Sequence, residues 1–353
     1  MFSKKSILAL LLCGAMTVSM AGCGGAGKTA SVADAASTGT AAKAGTPKYI
    51  MKIGHSQPEG NPRYTSVEAF KKEVEEKSNG GISVEIYPAG QLGTEKEMLE
   101  SVKMNTLQGM RGGQFDMLPK LLIFTLPFLC ENNKQVDALT SSDFALKVCE
   151  GSQKDNILIL GLGNAGGFRQ FTNNKHAIKS PSDLKGLKIR TPGMDTIDGA
   201  LKAMGASTVS VPYSDLYMSL KTGVADGQEN PLVNVSSLKL FEVQKYITIV
   251  NYMFHPDPFY VNMQWFNALP ADYQSIIKTA TSNMMILNND SIAKQEAEAL
   301  KVIEKNADVY TPTAEELQQF KDATKVVYDN YVKEGKITKE ELATMQDIVA
   351  KAK

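Results

Sequence analysis

The chain has 353 residues, and its 38 Lys plus Arg balance its 38 Asp plus Glu, so it carries no formal net charge. A chain without a basic excess or a basic run does not fit a nucleic-acid-binding protein. Its length exceeds what one hydrophobic core usually serves, which predicts two lobes.

The N-terminal segment has the organisation of a bacterial lipoprotein signal. Lysines precede an apolar run from Ile7 to Met20, and small residues then lead directly to Cys23, as in a lipobox. The run is short for a membrane span and is interrupted by small polar residues, which predicts a cleaved signal peptide over residues 1–22. Residues 23–47 are almost all Ala, Gly, Ser, Thr and Lys and predict a flexible tether. We therefore expect an extracytoplasmic protein that is lipidated at Cys23 and attached to the cell membrane through that lipid alone.

Strands and helices alternate after the tether. Period-2 apolar patterns predict strands at residues 49–54 and 82–87, and each is followed by a helix of period 3.6. The second helix begins after Thr94, which has Glu97 three residues later in capping-box spacing. The alternation predicts an α/β protein with a parallel, doubly wound sheet.

The second half repeats this order and ends in helices. Strands are predicted at 157–163 and 186–190, and two more at "YITIVNY" and "PFYVNMQWF". A helical pattern then runs without a breaker from Pro270 to about Asn306. Some 35 residues of helix would span about 50 Å, which predicts a helix that bridges both lobes. Two amphipathic helices broken at Gly335 complete the chain.

A glycine motif, "GLGNAG" at residues 161–166, matches the dinucleotide-binding fingerprint after a strand. The fingerprint requires a helix at that point, because the pyrophosphate binds at the helix N-terminus. The following "GFRQFTNNKH" has alternating aromatic residues and is not a helical pattern. The glycines are therefore predicted to allow a bend where the chain crosses between lobes.

Arginine is rare in this chain: there are four arginines against 34 lysines. Arg190 ends the predicted strand "GLKIR", and Pro192 prevents the strand from continuing. A guanidinium binds a carboxylate through two parallel hydrogen bonds, which an ammonium cannot do. Arg190 is therefore either a carboxylate-binding residue or the partner of a nearby acid.

The remaining reactive residues indicate no metal site and no catalytic motif. The three histidines are scattered, and no His, Cys and Asp spacing is that of a metal site. Neither G-x-S-x-G nor H-E-x-x-H occurs. Cys130 and Cys149 could form a disulfide outside the cell or remain as buried thiols, and the sequence leaves this open.

Several motifs in order, "IYPAGQLGTEKEML", "GFRQFTNN", "SPSDLKGLKIRTPG", "MGASTVSVPYSDLYMSLKTGVADGQENP" and "LFEVQKYIT", resemble the solute-binding proteins of TRAP transporters, the DctP-type family. The resemblance covers nearly all of residues 48–345. It implies a two-lobed, periplasmic-binding-protein-like fold of type II-like architecture, with one long helix across both lobes. The implied boundaries are 48–165 plus about 253–290 for lobe I, and 166–252 plus about 291–353 for lobe II.

The resemblance also implies a set of ligand-binding residues. Arg190 corresponds to the carboxylate-binding arginine, Arg169 to a second cleft arginine, Asn230 to a binding amide and Tyr213 to an aromatic wall residue. The opposite wall would comprise His55, Gln57, Glu95 and Gly113. Arg111 would either contact the distal end of the ligand or be a solvated charge. The family's G-x-x-D reads Asn105 to Gln108 here, and this departure leaves the identity of the ligand open.

The implied function is the capture of a carboxylate-containing small molecule, such as a C4-dicarboxylate, a uronate or another sugar acid. The protein would bind it by hinge closure and deliver it, as a monomer without cofactor or metal, to the membrane permease of a TRAP transporter. Two alternatives remain at this point: an exported enzyme acting on an acidic sugar or organic acid, and a binding protein of another transport class.

Membrane attachment is expected to depend on Cys23. A lipid anchor with two or more acyl chains holds a protein stably at a membrane, whereas one chain alone does not. The Cys23→Ser variant should therefore be exported but recovered in the soluble fraction after cell fractionation. Its recovery in the membrane fraction would contradict the lipoprotein assignment.

Overall fold

The computed structural model describes residues 47–352. The predicted signal peptide, Cys23 and all but the last residue of the predicted tether lie outside the described residues. Within residues 47–352, no helix is both long enough and apolar enough to cross a membrane.

The described residues form an α/β structure with two β-sheets. The strands are β1 (Tyr49–His55), β2 (Ile82–Tyr87), β3 (Gly109–Arg111), β4 (Ile157–Asn164), β5 (Arg169–Asn173), β6 (Lys188–Thr191), β7 (Ser207–Ser210), β8 (Gly227–Pro231), β9 (Tyr246–Thr248), β10 (Pro256–Asn262) and β11 (Asp308–Tyr310). The α-helices are α1 (Pro62–Lys77), α2 (Glu95–Lys103), α3 (Asn133–Thr140), α4 (Asp143–Glu150), α5 (Asp195–Ala203), α6 (Leu216–Lys221), α7 (Leu232–Ser237), α8 (Met263–Asn267), α9 (Ala271–Glu304), α10 (Ala314–Lys333) and α11 (Lys339–Lys351). The predicted α/β fold class is confirmed.

The first sheet has the strand order β2-β1-β3-β10-β4. Strands β1, β2 and β3 are parallel, as predicted, but β10 runs antiparallel to both of its neighbours. A parallel strand needs a long crossover connection, usually through a helix. Strand β10 instead arrives directly from the second sheet, so the prediction of a wholly parallel sheet is wrong.

The second sheet has the order β11-β9-β5-β8-β6-β7, and here β5 is antiparallel to β8 and β9. Sequence patterns did not predict β8, because its sequence "GQENP" is polar. All five of its residues are nevertheless buried. A polar strand inside a sheet must find hydrogen-bond partners for its side chains, and those partners form part of the ligand site.

Helix α9 confirms the predicted long bridging helix. Its 34 residues span about 50 Å. Ile277, Ala280 and Met284 near its start pack in the core of the first sheet, whereas Ala299 and Ile303 near its end pack in a core with α6 and α7. One rigid helix therefore belongs to the hydrophobic cores on both sides.

The chain crosses between the sheets after β4 and again before β10. The first crossing contains Gly166 and Gly167, with φ of 132° and 104°, and it leads into strand β5 rather than into a helix. The predicted bend at these glycines is therefore observed, and the dinucleotide fingerprint lacks its helix. Gln170 links the two crossings, because its side-chain oxygen accepts hydrogen bonds from the backbone N–H of Val250 and of Asn251 (2.8 and 2.9 Å).

The largest apolar core draws on both sheets. Residues 115–149, which the sequence assigned to lobe I, share this core with Phe171 and Ile189 of the second sheet. Cys130 and Cys149 are buried in the same core as free thiols. Burial raises the pKa of each thiol to about 12. The proposed lobe boundaries remain a prediction.

Two predicted strands end earlier than expected, and the first is β9, which was predicted through Tyr252 but stops at Thr248. The pattern "PFYVNMQWF" predicted a strand through Phe266, but the strand stops at Asn262 and residues 263–267 form helix α8. The Asn262 side chain accepts a hydrogen bond from the Trp265 backbone N–H at 2.8 Å. This N-cap begins a helix where the aromatic residues alone favoured a strand.

Candidate ligand-binding site

A cavity of about 320 Å³ lies between the two sheets and is lined from both sides. The residues before the first crossing that line it are Gln57, Arg63, Thr94, Glu95, Lys96, Gly113, Gln114 and Asp116. The residues from that crossing onward are Ala165, Arg169, Arg190, Pro192, Gly193, Met194, Ser210, Pro212, Tyr213, Asn230, Asn234 and His255. Seven of the eight predicted ligand-binding residues therefore line one cavity.

Strand direction brings three of these residues to one edge of the second sheet. Arg190 and Asn230 lie near the carboxyl ends of the parallel neighbours β6 and β8. Arg169 begins the antiparallel strand β5 and pairs with Pro231 at the end of β8. In open α/β sheets, ligands bind in the crevice at the carboxyl ends of the strands.

Arg190 is buried, with 1% of its surface exposed, and its guanidinium is fixed by a backbone carbonyl. Its Nε and Nη2 both donate to the Val211 oxygen, at 2.8 and 2.5 Å. Val211 is itself held to the strand, because its N–H donates to the Thr191 oxygen. One edge of the guanidinium is thereby occupied, while Nη1 has no protein partner among residues 47–352. Burial lowers the pKa of Arg190 to about 10, so the group remains charged at neutral pH.

Arg169 is held by a carboxylate. Glu229 accepts hydrogen bonds from Nε and Nη2 of Arg169, and the Glu229 backbone oxygen also accepts from Nη2 at 2.8 Å. The Tyr252 hydroxyl donates to the same carboxylate at 2.7 Å. Both Nη2 hydrogens of Arg169 are therefore used, and Nη1 is left to face the cavity that Arg169 lines.

The opposite wall contains a second buried ion-pair network around Asp257, which is fully buried. Asp257 contacts Arg63 through Nη2 at 2.7 Å and Arg111 through Nε at 2.9 Å. Arg63 Nη1 also donates to Glu95 at 3.0 Å. Burial opposes the charge of Arg63, but Asp257 and Glu95 together raise its pKa above the ordinary value.

Side-chain hydrogen bonds cross the cleft at two points, one at Tyr213 and one at Asn61, whose amide also donates to the Ser237 hydroxyl at 3.5 Å. The Tyr213 hydroxyl donates to Gln57 at 3.1 Å, and the Asn61 amide donates to Asn234 at 3.1 Å. Burial raises the pKa of Tyr213 to about 12, so its hydroxyl remains a donor at neutral pH. Gln57 and Asn61 belong to the first side of the cleft, and Tyr213 and Asn234 to the second. These contacts connect the two walls across the opening.

Gly113 allows the backbone to lie close to the His255 ring in the wall of the cavity. A Cβ at this position would lie 2.3 Å from the His255 ring, so only glycine fits here without movement. The Gly113 N–H donates to Glu95 at 3.1 Å, and Phe115 stacks on His255 with 4.8 Å between ring centroids.

Two sequence-based expectations about the opposite wall are wrong. His55 does not line the cavity: it is fully buried, its ring packs edge-on against Tyr64, and its Nδ1 faces the Gln57 N–H. Arg111 neither lines the cavity nor is solvated, because it is fully buried against Asp257 and donates to Ser66 at 2.6 Å. Both residues lie behind the wall, because β1 and β3 pair His55 with Arg111 inside the first sheet.

Among the polar cavity-lining residues that sequence reasoning missed, three are buried: Arg63, Asn234 and His255. The scarcity of arginine, which singled out Arg190, could also have indicated Arg63. Asn234 and His255 carried no comparable signal, because neither belongs to a pattern with a known chemical role.

All four arginines are buried, and they differ in one respect. Arg63 and Arg111 contact Asp257, and Arg169 contacts Glu229. Arg190 has no carboxylate within 4.0 Å among residues 47–352. A buried cation without a counter-ion is unfavourable unless an anion is supplied.

Comparisons with known proteins show the family of the chain. The family model described as bacterial extracellular solute-binding protein, family 7 (DctP), matches residues 53–334. The chain belongs to this family. The chain is 27% identical over 287 residues to the C4-dicarboxylate-binding periplasmic protein DctP of Rhodobacter capsulatus. The alignment covers 79% of this chain and 85% of that protein. It is 30% identical to a Sinorhizobium fredii protein, y4mM, of which it spans only 48%.

Two crystal structures are similar throughout the described fold. One is the sugar acid binding protein DctPAm of Advenella mimigardefordensis in complex with galactonate, with a TM-score of 0.83, 25% identity, and 87% and 99% of the two chains covered. The other is a TRAP periplasmic solute binding protein from Shewanella oneidensis with bound succinate, with a TM-score of 0.82, 28% identity, and 86% and 100% covered.

Family membership confirms several predictions from the sequence. The chain is a solute-binding protein of the TRAP type with a two-lobed α/β fold, and it functions outside the cytoplasm. The family and its structural neighbours are binding proteins, which decides against the exported enzyme. The contacts of individual residues with ligand remain predictions.

The two buried charge arrangements predict stability effects of different size. Asp257→Asn should lower the free energy of unfolding by about 3–5 kcal/mol, because it leaves Arg63 and Arg111 without their shared carboxylate. Arg190→Ala should change the stability of the ligand-free protein by less than about 1 kcal/mol, because the chain provides no carboxylate for it. Denaturant unfolding of both variants without ligand checks this. A large loss for Arg190→Ala would identify Arg190 as a structural residue.

Proposed function

We propose that this protein captures a small organic acid by its carboxylate at Arg190, closes its two lobes around the acid and delivers it to the membrane permease of a TRAP transporter. The observation that carries the proposal is the unpaired, buried charge of Arg190 in a cavity between two sheets. Every other arginine of the described chain contacts a carboxylate of the protein.

The geometry of the two cleft arginines supports a carboxylate as the ligand group. Val211 occupies the Nε side of the Arg190 guanidinium and leaves the fork of Nη1 and Nη2 for the two oxygens of one carboxylate. Arg169 adds its Nη1, which Glu229 leaves free. The amide of Asn230 lies on the neighbouring strand, where it could bind the same group.

The relatives support this ligand class through their own ligands. One structural neighbour holds galactonate and another holds succinate, and a third, from Haemophilus influenzae, holds L-gulonate. All three compounds carry at least one carboxylate. By analogy, C4-dicarboxylates, uronates and other sugar acids are the compounds to screen first.

The N-terminal sequence supports the proposal that the protein is held at the membrane that contains the permease. A lipid on Cys23 and a tether of about 25 residues would retain the protein at the membrane surface while it binds solute. We propose that it acts there as a monomer, because one chain supplies both walls of the cavity.

Arg190 variants provide the direct test. A thermal-shift screen of galactonate, L-gulonate, erythronate and succinate would first identify a bound acid, and calorimetry would then compare variants. Arg190→Ala should weaken binding by about 2–5 kcal/mol, which is roughly thirty-fold to several-thousand-fold in Kd. Arg190→Lys should lie between wild type and alanine, because it keeps the charge but loses the planar fork.

Lys188→Ala is the matched control, since it removes a positive charge from an exposed residue of the same strand. Its Kd should equal that of wild type. Binding by Arg190→Ala within threefold of wild type would mean that the carboxylate binds elsewhere, and Arg169 would be tested next.

Closure should be visible in solution. The cross-cleft bonds of Tyr213 with Gln57 and of Asn61 with Asn234 require the two walls to approach, and ligand adds contacts to both walls. Small-angle scattering at saturating ligand should give a smaller radius of gyration than the ligand-free protein. Arg190→Ala, at the same ligand concentration, should keep the ligand-free value. An unchanged radius in wild type at confirmed saturation would argue against hinge closure.

A further inference from the structure

We infer that the ligand of this protein is a monocarboxylate whose far end carries hydroxyl groups, and that dicarboxylates are disfavoured. The inference rests on the proposed function, because it assumes that the acid binds at Arg190. It concerns the rest of the same molecule, which would contact Glu95 and His255 in the same cavity.

The charge of the site is the first support. Four buried arginines face three carboxylates, which are Glu95, Glu229 and Asp257, so the network has an excess of one positive charge. The two buried histidines add no charge at neutral pH, because burial lowers the pKa of His55 to about 3 and holds that of His255 well below its usual range. Lys96 and Asp116, at the solvent-exposed margin of the cavity, pair with each other at 3.4 Å.

One carboxylate therefore neutralises the site. A second carboxylate on the ligand would leave one net negative charge in a closed cavity, and an unpaired buried charge is strongly unfavourable. The three other arginines cannot compensate fully, because each already contacts a carboxylate of the protein.

Glu95 is the second support, because it lines the same cavity and offers a negatively charged acceptor to a bound acid. One of its oxygens accepts from the Ser56 hydroxyl at 2.5 Å and from Arg63 at 3.0 Å, and the other accepts from the Gly113 N–H at 3.1 Å. An ionised carboxylate has about four acceptor positions, so about one remains. A ligand hydroxyl can donate to it, whereas a ligand carboxylate cannot.

His255 offers a second acceptor. Its Nδ1 lies 2.9 Å from the Pro256 carbonyl oxygen, which can only accept, so Nδ1 carries the proton. In the neutral ring Nε2 is then an acceptor. Its near neighbour is the Met194 sulfur at 3.0 Å, which has no hydrogen to donate. The His255 ring lines the cavity, so a ligand hydroxyl is a suitable donor for Nε2.

Matched acids test the inference without any mutation. Galactonate and galactarate have the same six-carbon chain and differ only at C6, which is a hydroxymethyl group in the first and a carboxylate in the second. Gluconate and glucarate, and threonate and tartrate, form equivalent pairs. Calorimetry at pH 7 should find the tightest ligand among the monocarboxylates, and its dicarboxylate partner should bind at least tenfold more weakly.

Glu95→Gln tests the cause of the preference. It removes one negative charge from the wall, so the ratio of dicarboxylate to monocarboxylate affinity should rise at least tenfold. Glu100→Gln makes the same substitution on the same helix outside the cavity and should leave the ratio unchanged. Melting temperatures of both variants would verify that they are folded.

The outcomes separate this inference from the proposed function. If a dicarboxylate of the panel binds most tightly and loses affinity in Arg190→Ala, the proposed function holds and this inference is overturned. The inference also fails if the tightest ligand is a monocarboxylate but Glu95→Gln leaves the ratio unchanged, or if no hydroxylated monocarboxylate of the panel binds. If the bound acid does not depend on Arg190, the proposed function itself fails.

Discussion

The proposed ligand site depends on one buried guanidinium for which residues 47–352 provide no carboxylate. Arg190 is held in place by the Val211 carbonyl, so its orientation is fixed before any ligand arrives. The Val211 carbonyl is a neutral dipole. It accepts hydrogen bonds from the guanidinium but does not neutralise its charge. The ligand-free protein therefore keeps a cation at an energetic disadvantage, and an entering anion relieves it. In the proposed function this difference supplies much of the free energy of binding, because the other three arginines already contact carboxylates of the protein.

The surrounding ion pairs act as supports rather than as binding groups. Glu229 is not among the cavity-lining residues, yet it fixes Arg169 along one edge and leaves Nη1 toward the cavity. Asp257 performs the same role for Arg63, and Arg63 in turn orients Glu95. Side chains buried behind each wall thus determine which donors and acceptors the ligand meets. This division explains why polar strand β8 is buried although its sequence lacks apolar residues.

The sequence predicted the fold class, the long helix and most of the cavity, for reasons that are local. Apolar periodicity and capping residues act within a few positions, as the capping box of Thr94 and Glu97 illustrates. The ion pairs could not be predicted in the same way, because Arg169 and Glu229 are 60 residues apart and Arg63 and Asp257 are 194 apart. Which arginine would remain unpaired therefore depended on tertiary structure. The error at His55 has the same origin, since a position just after a predicted strand end did not reveal that β1 continues through His55 and pairs there with β3.

The burial of both thiols makes selective labelling of the protein with thiol reagents practical. Thiol reagents attack the thiolate, and with a pKa of about 12 only about one in 10⁵ of the Cys130 or Cys149 side chains is ionised at pH 7, behind a packed core. A chain that starts at Lys48 contains no other cysteine. Cysteines introduced at exposed positions on the two sides of the cleft would consequently accept spin labels or fluorophores selectively. The distance between the walls could then be followed spectroscopically without first removing the native cysteines.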